Sequence, residues 1–275
     1  MNKDFILEGW DLKKVPSPSF VLHLEMLEEN LKTIDKVRKD AGVEVIMALK
    51  ANATWPIFPL LAEHSDGATA SSLSEARLIA EEMKCKAHIY APVYMEEEFE
   101  EILSYSSHLT FNSLSQWKRY GERAMSAGVS CGLRINPEYS TVDTDLYNPC
   151  SPQSRLGVRR DALTDWPTGI EGLHFHALCE SRPNDLYNTL RAVEEKFGHF
   201  FSSLKWINLG GGHLITHKDY DENVLIEILK DFKSRHPHLR IILEPGSAFT
   251  WDTGVLVSRV EDVLNNGGRN VMMLN

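Results

Sequence analysis

Short apolar runs rich in β-branched residues recur along the chain, and amphipathic segments with a helical period lie between them. The runs are VEVIMALK (43–50), DGATAS (66–71), AHIYAP (87–92), HLTFNS (108–113), SCGLRINP (130–137), EGLHFHAL (171–178), KWINLGGG (205–212) and RIILEPG (240–246). The spacing predicts helices over residues 72–84, 95–105, 114–128, 185–201 and 222–236, the first opened by a capping box from Ser72 to Glu75. Eight strands with helices between them predict a (β/α)₈ barrel, in which functional residues gather at the C-terminal ends of the strands. An open doubly wound sheet is the alternative.

Residues 137–169 break the rhythm. They are rich in Pro, Ser, Asp and Thr, only RRDAL (159–163) reads as helix, and the pattern predicts a long loop on the active face. The chain ends do not follow the barrel pattern either. PSFVLHL (18–24) reads as a lone strand before a helix at 25–40, and residues 254–275 read as a hairpin around Asn-Gly-Gly. The expected organisation is a barrel over residues 25–250, with residues 1–24 and 251–275 contributing to a small β-domain. The last apolar strand has no partner after it, so that β-domain is expected to continue in a longer version of the protein.

With 43% hydrophobic and 25% charged residues the 275-residue chain has an ordinary globular composition. It holds no apolar run of about 18 residues and its N-terminus lacks the features of a signal peptide, so a cytoplasmic protein is expected. Cys85, Cys131, Cys150 and Cys179 form no CxxC pair, which argues against a disulfide framework or a zinc knuckle. A net charge of −10 without a basic cluster argues against nucleic acid. It suits a cationic substrate, and equally a protein kept soluble by acidic balance.

Four stretches could carry chemistry. Lys50 ends the first strand, where partial burial would free a nucleophilic amine; a solvated strand cap is the structural alternative. Gly210, Gly211 and Gly212 follow the seventh strand, where barrels commonly bind phosphate. Glu244 follows the eighth strand and could hold a proton on a heterocyclic nitrogen, or pair with Arg134 or Arg155. In the sixth strand, His174 and His176 share one face, with Leu173, Phe175 and Ala177 on the other. With Glu180 the two histidines could ligate a metal; a single imidazole could instead stack on a flat cofactor.

Taken together, ALKAN, HFHALCE, NLGGGH and EPGSAFTWDTG resemble the fold type III pyridoxal phosphate enzymes, the alanine racemase and ornithine decarboxylase-like group, over the whole chain. Within that group they look most like the carboxynorspermidine/carboxyspermidine decarboxylases of polyamine biosynthesis. The resemblance implies pyridoxal 5'-phosphate as cofactor, with Lys50 as its covalent attachment point and His176 stacked on its ring. Gly210, Gly211, Gly212, Gly246 and Cys179 would lie on the phosphate side, Glu244 at the pyridine nitrogen, and Arg134 and Arg155 near the cofactor's edge. Glu180 would help recognise a cationic carboxylated polyamine, whose carboxylate leaves as CO₂ before reprotonation of the same carbon. The resemblance assigns no role to His174.

Members of this group act as homodimers in which the C-terminal β-domain completes the neighbouring subunit's site with a cysteine and an acidic residue. The chain stops before those positions, so it is expected to bind cofactor but to turn over more slowly than an ordinary enzyme rate, on the order of 1 per second. Three other readings stay open: a single barrel that binds pyridoxal phosphate without catalysis, another fold type III decarboxylase or racemase, and a metal-dependent barrel hydrolase.

Overall fold

The computed structural model describes residues 11–142 and 148–275. Residues 1–10, assigned above to the β-domain, and residues 143–147 of the predicted loop lie outside the described residues. Two compact units result, Leu31–Phe249, and Met1–Asn30 with Thr250–Asn275.

In the larger unit the first barrel strand is divided by Ile46 into β2 (Glu44–Val45) and β3 (Met47–Ala48). The following strands are β4 (Ala68–Ala70), β5 (Ala87–Tyr90), β6 (Ser106–Phe111), β7 (Ser130–Arg134), β8 (Gly172–His174), β9 (Trp206–Asn208) and β10 (Arg240–Leu243). All pair in parallel, in the order β2-β10-β9-β8-β7-β6-β5-β4-β3. Successive residues of the first strand hydrogen-bond to opposite neighbours: Ile46 N–H to Leu243 O and Ala48 N–H to Pro245 O, Met47 N–H to Gly67 O and Leu49 N–H to Thr69 O. The two ends of the sheet therefore meet on one strand, which closes the eight-position barrel that the alternation predicted. Val45, Ile46, Met47 and Ala48 are all buried, as expected for a parallel strand covered on both faces.

The barrel interior explains why the chemistry sits at one end. Trp206 opens β9 and packs with Ile46 and Ile242 in the core. Gly132 and Gly172 on the adjacent strands make room for it, since a Cβ at Gly172 would lie 2.0 Å from the indole. The stacked rings of His88 and His108, 3.9 Å apart, lie beside it. This aromatic plug fills the N-terminal end and leaves the C-terminal rim for polar groups.

Helices α1 (Leu24–Ala41), α2 (Phe58–Glu63), α3 (Leu73–Leu78), α4 (Glu96–Tyr105), α5 (Leu114–Ser126), α6 (Pro183–Phe197), α7 (Glu222–Arg235) and α8 (Ser247–Thr250) intervene. Ser72 caps α3 by accepting from Glu75 N–H, but Glu75 Oε2 accepts from Ser71 N–H, one residue before the expected capping-box partner. The predicted helix over 72–84 passes into a π turn at Ile79–Met83, and RRDAL forms only a 3₁₀ turn at Arg160–Ala162. The loop after β7 returns to the rim, where Val158 N–H donates to Arg134 O and Asn136 N–H to Val158 O.

In the smaller unit β1 (Ser19–Leu22) pairs antiparallel with β11 (Gly254–Val257). The hairpin expected over residues 254–275 is shorter: it runs from β12 (Val260–Asn266) to β13 (Arg269–Leu274). Its two-residue loop is Gly267-Gly268, both at positive φ, the backbone that a twist-matched type I′ turn demands. Residues 254–257 leave the predicted hairpin because their partner strand comes from the other end of the chain.

Candidate active site

Eight residues from the strand ends wall a pocket on the C-terminal rim: Lys50, Thr69, Ser71, Tyr90, Arg134, His174, His176 and Glu244. Five of them, Lys50, Arg134, His174, His176 and Glu244, were singled out in the sequence. Thr69, Ser71 and Tyr90 were missed, although Tyr90 ends its strand, Ser71 stands just beyond one and Thr69 lies one residue before that strand's end, the region that barrel geometry makes chemical.

Lys50 is exposed at the open rim. The protein atoms around its amine nevertheless strip hydration from it and push its pKa below the ordinary lysine value; Glu244 pulls the other way and Arg134 reinforces the drop. Glu244 is 9% exposed, and its Oε1 accepts a hydrogen bond from Asn208 Nδ2 at 2.7 Å. Burial works to raise its pKa, but His174, Asn208 and Lys50 outweigh burial and bring it down to about 2. The pocket therefore holds a permanent carboxylate opposite an amine that loses its proton more readily than usual.

Desolvation lowers the pKa of both histidines, with Arg134 and Lys50 pushing in the same direction. His176 is well below the usual histidine range and so neutral at physiological pH. Its Nδ1 accepts from Gly211 N–H at 3.0 Å, which places the ring proton on Nε2. Arg134 is buried, donates to His176 O at 3.3 Å and stands over the Tyr90 ring at 4.6 Å. Tyr90 in turn donates to Asn112 Oδ1, and the same side chain binds Gly157 N–H and Arg155 O of the returning loop.

The glycine turn lies along one side of this pocket. Gly210 and Gly212 have φ of 73° and 92°, and added Cβ atoms would sit 2.4 Å from Phe175 O and 2.3 Å from Leu178 O. Gly210 N–H donates to Asn208 Oδ1, so two of the three glycine N–H groups are spent on side chains of the site. Gly246 approaches the first strand, where a Cβ would lie 2.4 Å from Ala51 Cβ. Cys179 and Glu180 are exposed on the turn after β8, Glu180 at a positive φ of 48°. Arg155 is exposed and does not line the pocket. His174, His176 and Glu180 form no metal-ligand set: among the described residues no group of three or more His, Cys, Asp or Glu could hold an ion. No helix of the described residues is long and apolar enough to cross a membrane.

A family model described as "Pyridoxal-dependent decarboxylase, pyridoxal binding domain" matches residues 24–251. A carboxyaminopropylagmatine decarboxylase from Synechocystis is 49% identical over 260 residues, covering 94% of this chain and 67% of that protein. A carboxynorspermidine/carboxyspermidine decarboxylase from Campylobacter jejuni is 39% identical over 255 residues, covering 92% and 66%. The crystal structure of carboxynorspermidine decarboxylase complexed with norspermidine from Campylobacter jejuni superposes with a TM-score of 0.85 at 36% identity, over 94% of this chain and 67% of that one. The chain thus spans about two thirds of the length of these relatives.

Proposed function

The chain belongs to the pyridoxal-dependent decarboxylases, and from that premise we propose that it uses pyridoxal phosphate to decarboxylate a cationic carboxylated polyamine. The observation that carries the proposal is the pairing, in one pocket, of the easily deprotonated Lys50 amine with the ionised Glu244 carboxylate.

The residues fit the cofactor. Lys50, whose pKa is lowered by desolvation, would supply the amine for covalent attachment. Neutral His176 offers a flat ring fixed by Gly211, against which an aromatic ring stacks. On the side of the glycine turn the phosphate would meet Gly212, Cys179 and Gly246, the Gly210 and Gly211 N–H groups being bonded to Asn208 and His176. Glu244, a buried carboxylate at neutral pH, holds a proton on the ring nitrogen. Bound pyridoxal phosphate supplies the sink for the electron pair left behind when the substrate's carboxylate departs as CO₂. Arg134 holds the Tyr90 wall in place, and Arg155 stands further out on the loop side. Exposed Glu180 meets the cationic end of the substrate.

The names of the relatives specify the substrate class: carboxylated polyamines ending in a guanidinium for the Synechocystis protein and in an amine for the Campylobacter protein. One methylene between carboxynorspermidine and carboxyspermidine is worth only about 1 to 3 kcal/mol, so both fit this reading. In this reading the protein is cytoplasmic, and a homodimer where the β-domain is complete, the latter tested by light scattering.

The test is borohydride reduction of the purified chain incubated with pyridoxal phosphate, followed by peptide mapping and CO₂ release from each carboxylated polyamine. A pyridoxyl adduct on Lys50 with CO₂ release supports the proposal. Absence of the adduct in folded protein overturns it. An adduct without CO₂ release from any of them would leave the non-catalytic binding barrel in its place.

A further inference from the structure

His174 is a titratable rim residue that neither the resemblance nor the proposed chemistry uses. It is 2% exposed, and neither ring nitrogen has a hydrogen-bond partner among the described residues. Burying an imidazole in that state is unfavourable, so the position calls for a physical reason.

The strand register supplies one. Arg134, His174 and Asn208 are direct partners across β7, β8 and β9. From this row Asn208 Nδ2 reaches Glu244 Oε1 at 2.7 Å, and His174 Nε2 faces Glu244 Oε2 at 3.6 Å. The second separation is longer than a hydrogen bond, so His174 acts through its oriented N–H dipole rather than through a made bond. Each oxygen of the carboxylate thus has its own side chain behind it.

We infer that His174 and Asn208 form a two-sided clamp on Glu244, His174 being a positioning residue that fixes the carboxylate's charge and orientation from behind. The inference rests on the proposed role of Glu244 toward the cofactor's ring nitrogen. The clamp itself is a property of the chain without cofactor.

The surroundings determine the form in which His174 acts. Lys50 after β3, Tyr90 on β5, Arg134 on β7, His176 two residues beyond the end of β8 and Glu244 after β10 all line the same pocket. Burial disfavours a charge on the ring, and the positive charges of Arg134 and Lys50 act in the same direction against the pull of Glu244, so the ring stays neutral. A neutral ring with its proton on Nε2 presents a donor to Glu244, and that arrangement favours the carboxylate over the carboxylic acid. Phenylalanine in the same space would leave Glu244 Oε2 against an apolar wall, where burial favours the protonated acid. An acid at that position could not hold a proton on the ring nitrogen by charge.

The experiment follows the Glu244 carboxyl by ¹³C NMR in glutamate-labelled protein without cofactor, with Glu244→Gln to assign the signal. In His174→Phe and Asn208→Ala its titration midpoint is expected to rise by at least one pH unit over wild type, with His174→Gln, which keeps a donor, in between. Nitrogen-15 spectra of wild type at neutral pH are expected to show His174 neutral and protonated on Nε2. An unchanged Glu244 midpoint in the natively folded variants, or a wild-type ring protonated on Nδ1, would overturn the clamp. In protein loaded with ring-¹⁵N pyridoxal phosphate, the ring nitrogen should lose its proton at lower pH in His174→Phe. A raised Glu244 midpoint without cofactor uptake on Lys50 would leave the clamp standing and sink the functional reading alone.

Discussion

Gly211 N–H donates to His176 Nδ1 at 3.0 Å, so the backbone turn after one strand holds the imidazole of its neighbour. The bond requires an unprotonated Nδ1, which couples the ring's neutrality to its orientation. It also assigns Gly211 a task different from cradling an anion. A Cβ there would lie 2.2 Å from Glu244 O, so this glycine is required by the close approach of three rim segments.

Gly211→Ala should therefore damage the rim more than an ordinary surface change does. The intruding methyl meets backbone rather than a flexible side chain, and the turn must shift away from both His176 and Glu244. The expected cost is about 2 to 4 kcal/mol in urea unfolding, within the range of severe single substitutions. Cofactor affinity, read by absorbance titration, should fall at least tenfold. A variant with wild-type stability and affinity would show that the turn relaxes freely.

Acid should destabilise the fold well before its carboxylates titrate. Burial is the first cause that lowers His88 to about 3 and His108 to about 4, and it alone brings His213 to about 4, all from an ordinary 6.5. Below pH 6.5 the unfolded chain therefore binds protons that the folded chain refuses, and stability falls as pH drops from 6.5 toward 4. Each such group contributes up to about 1.4 kcal/mol per pH unit in that window. Glu244, at about 2 against an ordinary 4.5, adds a further loss below pH 4.5 with the same sign. Urea midpoints at pH 7, 6 and 5 should fall steadily, and a flat profile would contradict the neutral buried histidines.

The barrel was legible because parallel strands covered on both faces read as continuous apolar runs, and VEVIMALK through RIILEPG kept that signature. Lys50, His176 and Glu244 were legible for a related reason: polar residues that end such runs have nowhere to go but the rim. Asn208 was invisible as a partner of Glu244, since the contact joins residues 36 apart and depends on how two strands align. The split of residues 254–275 between β11 and the hairpin was also hidden, because local turn chemistry marks Gly267-Gly268 but says nothing of a partner at Ser19–Leu22. Sequence period gives the faces of elements; register across the sheet is a property of the closed barrel.

The floor of the barrel should respond to substitution as a packed core. Gly172→Ala puts a methyl 2.0 Å from the Trp206 indole and should cost about 1 to 3 kcal/mol by overpacking. Trp206→Leu alone should cost a comparable amount, because the indole also donates to Ser130 Oγ at 2.9 Å. In the double variant the two costs should fall short of additivity, since the smaller side chain removes the clash. Strict additivity in a double-mutant cycle would mean that the strand, rather than the indole, absorbs the alanine.

Asn112 ties the pocket wall to the loop, and its loss should be felt at one particular amide. Its Oδ1 accepts from Tyr90 OH and Gly157 N–H, while its Nδ2 donates to Arg155 O. Gly157 cannot find another seat easily, because its φ of 83° and its approach to Ile135 O fix the backbone there. Asn112→Ala removes the partner of that N–H, and a net hydrogen bond is worth about 0.5 to 1.5 kcal/mol. Hydrogen exchange at Gly157 should therefore accelerate by up to about tenfold, while strand amides such as Leu133 hold their protection. Tyr90→Phe is the control: it deletes the hydroxyl from the pocket but keeps the Asn112 to Gly157 bond, so its Gly157 exchange should match wild type. Equal acceleration in both variants would mean that the loop is held by the Tyr90 wall and not by the asparagine.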